Sequence, residues 1–209
     1  MKIRSSLLAA LLTSSSLASA AVTTLTMDAP IGVANAWYYE GNYVLTDTIT
    51  GAGLLQRTIQ PGSILPDNGG DTYMATLGYF SLSANHAATN KVFDLYSIDL
   101  GEYGGTASIQ ADSITVIGTL ASGGEVQQIF KLDGIWDNGP LDDLETFVLD
   151  GNFRDLKKVE VWGPDDGLGN TIGFSFDNIV VGAVPVPASA WLFGSALISL
   201  GGLRRRRQS

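Results

Sequence analysis

The sequence predicts an all-β body made of antiparallel strands, on three observations. Apolar and polar residues alternate with period two, most clearly in Lys91 to Leu100. There Phe93, Leu95 and Ser97 face one way, and Val92, Asp94, Tyr96, Ile98 and Leu100 the other. Glycine-rich turns such as Ser122-Gly123-Gly124 cut the chain into strand-length pieces. No stretch between residues 22 and 183 has the period of a convincing helix. Strands at this spacing argue a sandwich or barrel. One buried face per strand is what antiparallel sheets provide.

In order, Ala36 to Thr50 holds two strands around Glu40-Gly41-Asn42, rich in aromatic and β-branched residues. Leu54 to Gln60 is a strand closed by Pro61-Gly62. Residues 61–72 are a loop by their Pro, Gly, Asp and Asn content. Tyr73 to Ser83 reads as one strand, and Lys91 to Leu100 as the next. Gly101 to Gly105 is a turn. Ser108 to Leu120 and Glu125 to Leu132 form a hairpin. Asp133 to Asp143 is an acidic loop. Leu144 to Leu149, Leu156 to Trp162 and Thr171 to Gly182 are the closing strands, giving nine or ten in all.

Both ends read as targeting segments. Lys2 and Arg4 precede the apolar Leu7 to Leu12, and Ala18-Ser19-Ala20 is a small-x-small cleavage site. That pattern is a signal peptide over residues 1–21, read by the Sec translocon and signal peptidase. At the other end, Val184, Pro185, Val186 and Pro187 form an extended Pro box. Residues 188–203 then carry no charge, and Arg204, Arg205, Arg206 and Arg207 follow. As a helix the run spans roughly 24 Å, short for a hydrocarbon core of about 30 Å. Thinning of the bilayer and flanking residues can close that gap. The arginines favour the cytoplasmic side, which puts the body on the far side of the membrane. The expected domains are therefore 1–21, 22–183 and 184–209.

The tail, residues 184–209, resembles the PEP-CTERM sorting signal of exported proteins of Gram-negative bacteria. Pro185 and Pro187 match its two prolines, Trp191-Leu192-Phe193-Gly194-Ser195 its helix opening, and Arg204 to Arg207 its basic end. Val186 stands where the name-giving residue is Glu. The resemblance implies a membrane-anchored precursor cut by an exosortase. It further implies a non-catalytic structural or adhesive role at the cell surface or in an exopolysaccharide matrix or biofilm. The closing strand, Phe176-Asp177-Asn178-Ile179-Val180-Val181, is similar to the end of jelly-roll domains found among PEP-CTERM proteins and carbohydrate-binding modules. That resemblance implies a jelly-roll-like β-sandwich. It also implies a structural calcium between an early acidic residue and the last strand, for which Glu40 and Asp177 are the candidates by position.

Charge narrows the partners. Six of the 12 Lys and Arg lie in the end segments and all 21 acids lie between them, so the body carries a formal −15. Such a surface repels nucleic acid and attracts divalent cations. There is no cysteine, which excludes thiol catalysis and Cys-ligated zinc. His86, the sole histidine, sits in a polar stretch without a Gly-x-Ser-x-Gly elbow, and reads as a solvated loop residue.

Oxygen-rich loops can hold calcium. Asp165 and Asp166 with Gly167 and Asn170 make one, Asp67 to Asp71 a second, and Asp137-Asn138 with Asp142-Asp143 a third. Solvated turns use the same residues. Trp37, Tyr38, Tyr39, Trp136 and Trp162 can offer sugars a stacking platform, or simply pack a core. Trp136, in an acidic loop, is the one expected to be exposed for glycan contact. Paired carboxylates could instead run glycoside hydrolysis, but the sequence singles out no pair.

Overall fold

A computed structural model describes residues 21–28, 37–46, 54–57, 72–75, 77–84, 92–102, 111–134 and 144–183; for residues 37, 54–57 and 72–74 it describes the main chain alone. Among the described residues all regular structure is β. In chain order the strands are β1 Val22–Leu25, β2 Trp37–Glu40, β3 Tyr43–Thr46, β4 Leu54–Arg57, β5 Thr72–Ala75 and β6 Tyr79–Ala84. They continue with β7 Phe93–Glu102, β8 Ser113–Leu120, β9 Glu125–Lys131, β10 Glu145–Val148, β11 Leu156–Trp162 and β12 Phe174–Ala183. Residues Val22–Ala183 form one compact unit.

Every pairing is antiparallel, and the strands make two layers. One runs β4-β5-β12-β7-β10, with β1 pairing β12 beyond β5. The other runs β2-β3-β6-β11-β8-β9. A single pair, Leu156 with Phe93, links them. The inner faces meet through rings. Phe80 of β6 stacks on Phe176 of β12 at 4.1 Å and tilts against Phe174 at 6.0 Å. Tyr43 of β3 meets the edge of Phe93 of β7 at 5.7 Å. The result is the expected antiparallel β-sandwich, with its core between the layers.

The sequence reading needs four corrections. Tyr73 to Ser83 is two strands. The chain turns at Leu77-Gly78, where Gly78 has φ +70 and its amide bonds Ala75 O at 2.9 Å. A Cβ on Gly78 would lie 2.4 Å from Ile172 O, so only glycine fits. The turn sends β5 and β6 to opposite layers.

Second, strict alternation fails in β7, where Phe93 and Leu95 are buried and so are Ile98 and Leu100. The register with β12 shifts between Asp177 and Val181, and this bulge changes the phase of the inward set. Third, β7 continues through Gly101 and Glu102, where a turn was expected. Fourth, β1 was not anticipated. Three of its four residues are exposed, so it shows no alternation to read.

Candidate functional site

The register of the second layer fixes what its outer face presents. In β11, Leu156, Val159 and Val161 are buried in the core, so Lys158, Glu160 and Trp162 point outward. Trp162 pairs with Tyr79 on β6 and with Thr115 on β8. Glu160 pairs with Ser81, which in turn pairs with Thr46 on β3. Lys158 pairs with Ser83, then Val44, then Tyr39 at the β2 edge. Successive rows lie about 7 Å apart and neighbouring strands about 4.8 Å apart.

At one end of the face Trp162 and Tyr79 form an aromatic pair, with centroids 4.2 Å apart and planes at 50°. Trp162 is half-buried while Tyr79 is covered. Burial pushes the Tyr79 hydroxyl above its ordinary pKa. That hydroxyl donates to Glu160 Oε1 at 3.1 Å, and Lys158 Nζ donates to the same oxygen at 2.8 Å. Burial alone would lower the Lys158 pKa; the hydrogen bonds and charges of Glu160 and Tyr79 together outweigh it, and the net shift is upward. Beside them the Ser81 and Thr46 hydroxyls lie 3.3 Å apart. Tyr39, 57% exposed, and Ile129, 61% exposed, mark the outer edges of the face.

The backbone beneath the aromatic pair is held tightly. Gly163 N donates to Gly78 O at 2.8 Å, and Ile172 N to Pro164 O at 2.8 Å. A Cβ on Gly163 would sit 2.0 Å from Ile172 O. Thr171 Oγ1 also donates to Leu77 O. The loop from Asp165 to Asn170 is closed by its own side chains. Asp165 Oδ1 accepts Gly167 N at 2.6 Å. Asp166 Oδ1 accepts Leu168 N at 2.7 Å and Asn170 N at 3.1 Å, and its Oδ2 accepts Asn170 Nδ2 at 3.0 Å. The Asn170 side chain and these amides hold the Asp166 carboxyl below its usual pKa. Both acids therefore serve as turn-closing acceptors.

Glu40 and Asp177 come to a different corner. Glu40 Oε1 accepts Thr26 N at 3.1 Å, while its Oε2 accepts Met27 N at 3.2 Å and the Tyr38 hydroxyl at 2.9 Å. The last register pair of β1 is Leu25 with Ile179, so Thr26 and Met27, which Glu40 grips, follow that pair in the chain as Asn178 and Asp177 precede it. Asp177 is fully buried, and its Oδ1 accepts Asn178 N at 2.6 Å. Met27 and Asn178 both have positive φ, 58 and 40, unusual for residues with a side chain. Asn178 Nδ2 also bonds Asp99 Oδ2 at 2.9 Å.

Of the aromatics read as a possible platform, Tyr38 is core, 1% exposed, while Tyr39 and Trp162 face out. Trp136, His86, the Asp67 and Asp137 loops, the signal peptide and the tail from Val184 lie outside the described residues, as does the Trp37 side chain. The sequence reading missed Tyr79, Glu160 and Lys158. The usable signal was Lys158-Val159-Glu160-Val161-Trp162, where polar and aromatic residues share one phase and valines the other.

No protein-family model matches the chain, and no curated protein does. Among solved structures the chain is similar to a DUF4465 family protein from Bacteroides caccae, at 12% identity and a TM-score of 0.46, covering 78% of this chain and 100% of that one. It is also similar to the N-terminal CBM22-1–GH10 modules of endo-1,4-beta-D-xylanase 10B from Clostridium thermocellum, complexed with xylohexaose. That match has 11% identity and a TM-score of 0.38, covering 78% of this chain and 28% of that one. A third is the C-terminal family 22 carbohydrate-binding module of the same xylanase, at 13% identity and a TM-score of 0.35, covering 77% and 91%.

Proposed function

We propose that residues 22–183 are a non-catalytic carbohydrate-binding module of an exported envelope protein, and that the outer face of β2-β3-β6-β11-β8-β9 is its binding surface. The observation behind this reading is the half-buried Trp162, backed by the covered Tyr79 ring, set beside Glu160, Lys158, Ser81 and Thr46 on one sheet face. A pyranose has apolar C–H faces and a rim of hydroxyls. An aromatic ring takes the first and a carboxylate, ammonium or hydroxyl the second. The matrix role implied by the sorting signal gives such a face an exopolysaccharide to hold.

A glycoside hydrolase would need two carboxylates about 5 to 10 Å apart. In the paired rows of this face the strands beside Glu160 present Ser81 and Ile117, and Glu125 lies two strands away on β9. The binding reading is therefore the better supported. Trp162→Ala should weaken retention on polysaccharide gels at least about tenfold, or about 1.4 kcal/mol. Retention equal to that of the unchanged protein would remove this face from consideration.

We further propose a structural calcium at the corner of Glu40 and Asp177. Its donors are all oxygen, which suits a hard cation. No three acidic or histidine side chains group there or elsewhere among the described residues. Main-chain carbonyls and water would then complete the six to eight ligands. Millimolar calcium should raise the melting temperature by several degrees. Binding at one hundred times Kd adds about 2.7 kcal/mol, and about 2–4 °C accompanies each kcal/mol at this size. Magnesium should do less, since it demands a tight octahedron. Asp177→Asn should reduce the calcium shift more than Asp165→Asn. Equal shifts with calcium, magnesium and sodium chloride at matched ionic strength would reveal screening alone.

A further inference from the structure

The binding face differs in charge from the rest of the body. The body carries a formal −15. On the paired rows of the outer face the charges cancel: Lys158 and Glu160 bond each other at 2.8 Å, and Glu125 and Lys131 balance at the β9 edge. Lys157, exposed, is the extra residue at the β11 bulge and belongs to no row.

We propose that this face selects uncharged pyranose polymers, with the sugar stacked on Trp162 and its hydroxyls donating to Glu160 Oε2; this rests on the carbohydrate-binding reading above. The assignment of Oε2 follows from the bonding. Lys158 and Tyr79 both occupy Oε1, and among the described residues Oε2 makes no bond. Glu160 and Trp162 are two residues apart on one strand face, about 7 Å, so one sugar can reach both. A hydroxyl donated to a carboxylate is about twice as strong as a neutral pair.

A uronic acid polymer meets the opposite conditions. Its carboxylate would compete with Glu160 for Lys158 and place a second negative charge beside the first, an arrangement that works against the ligand. At longer range the −15 body repels a polyanion.

The test uses the full chain in mild detergent and two probes, cellohexaose and polygalacturonate. Cellohexaose should bind in a Trp162-dependent way. Its affinity should change by about twofold or less between about 0.01 M and about 1 M salt, over which the screening length falls from about 30 to about 3 Å. Polygalacturonate should bind more weakly than cellohexaose. The salt dependence and the ranking of the two probes need no variant; Trp162→Ala reads the Trp162 dependence. Glu160→Gln, nearly isosteric, should weaken cellohexaose about tenfold and narrow the gap to polygalacturonate. Stronger, salt-sensitive and Trp162-dependent binding of polygalacturonate would overturn neutral selection and leave the carbohydrate reading standing. Full cellohexaose affinity in Glu160→Gln would overturn the role of Oε2. No Trp162-dependent binding of either probe would end both readings.

Discussion

Phe80→Ala should lower the stability of the β-sandwich by about 3–5 kcal/mol, which is the usual range for deleting a buried phenylalanine ring. Phe80 is fully buried and stands where the two layers meet, stacked on Phe176 and tilted against Phe174. Its removal forfeits contact with the opposite sheet as well as with its own. The cavity can close only if the layers approach, and the rings of Tyr43 and Phe93, further along the same interface, hold them apart. A domain of this size has about 5–15 kcal/mol in total, so the variant loses a large fraction of it. At about 2–4 °C for each kcal/mol, calorimetry should show a fall in melting temperature of about 6–20 °C. Phe130→Ala is the comparison. Phe130 lies at the β9 edge, 8% exposed, and its ring partner Phe147 on β10 is itself only partly covered. Its loss should cost less. Equal losses in the two variants would mean that the layers are not closed face to face through Phe80.

The fold class was legible because burial pattern and sequence pattern coincide in β8 and over Lys158 to Trp162 of β11. Ile114 and Val116 go in while Thr115 and Ile117 come out, as alternation requires. What failed was set by partners far away in sequence. The phase change in β7 comes from a bulge in its pairing with β12, about eighty residues further on; its local sign in Lys91 to Leu100 is that Phe93 and Leu95 fall in one phase and Ile98 and Leu100 in the other. The break at Gly78 is enforced by Ile172 O pressing on the turn. The proposed binding face was half legible. Tyr39 and Trp162 were recognisable as aromatic candidates. Which ring faced out depended on the register with Val159, Val161 and Tyr79. Glu160 and Lys158 looked like ordinary solvated charges until pairing set them beside an aromatic pair. The tail from Val184 lies outside the described residues, and its reading rests on the local motif alone.

That tail gives the prediction with the largest change in state. In a host with an exosortase, the mature protein should end between Val184 and Ala188 and lack Arg204 to Arg207. Residues 188–203 carry no charge; as a helix they fall short of the hydrocarbon core, and local thinning with the flanking residues would let them hold the chain in a bilayer. Arg204 to Arg207 fix the orientation, because moving four guanidinium groups through hydrocarbon is costly. On this expectation an uncut chain would stay in the inner membrane and a cut one would leave it, so processing would be all or nothing for location. Pro185 and Pro187 favour an extended segment before the apolar run, the conformation a protease needs for access to the backbone. Pro187→Ala removes one of those constraints and should leave an uncleaved, membrane-retained form. Mass spectrometry of the native protein and fractionation of the variant read these outcomes directly. An intact C-terminus on the mature protein would refute cleavage. Unchanged processing of Pro187→Ala would exclude that proline from the recognition element, leaving the apolar run and the arginines to define it.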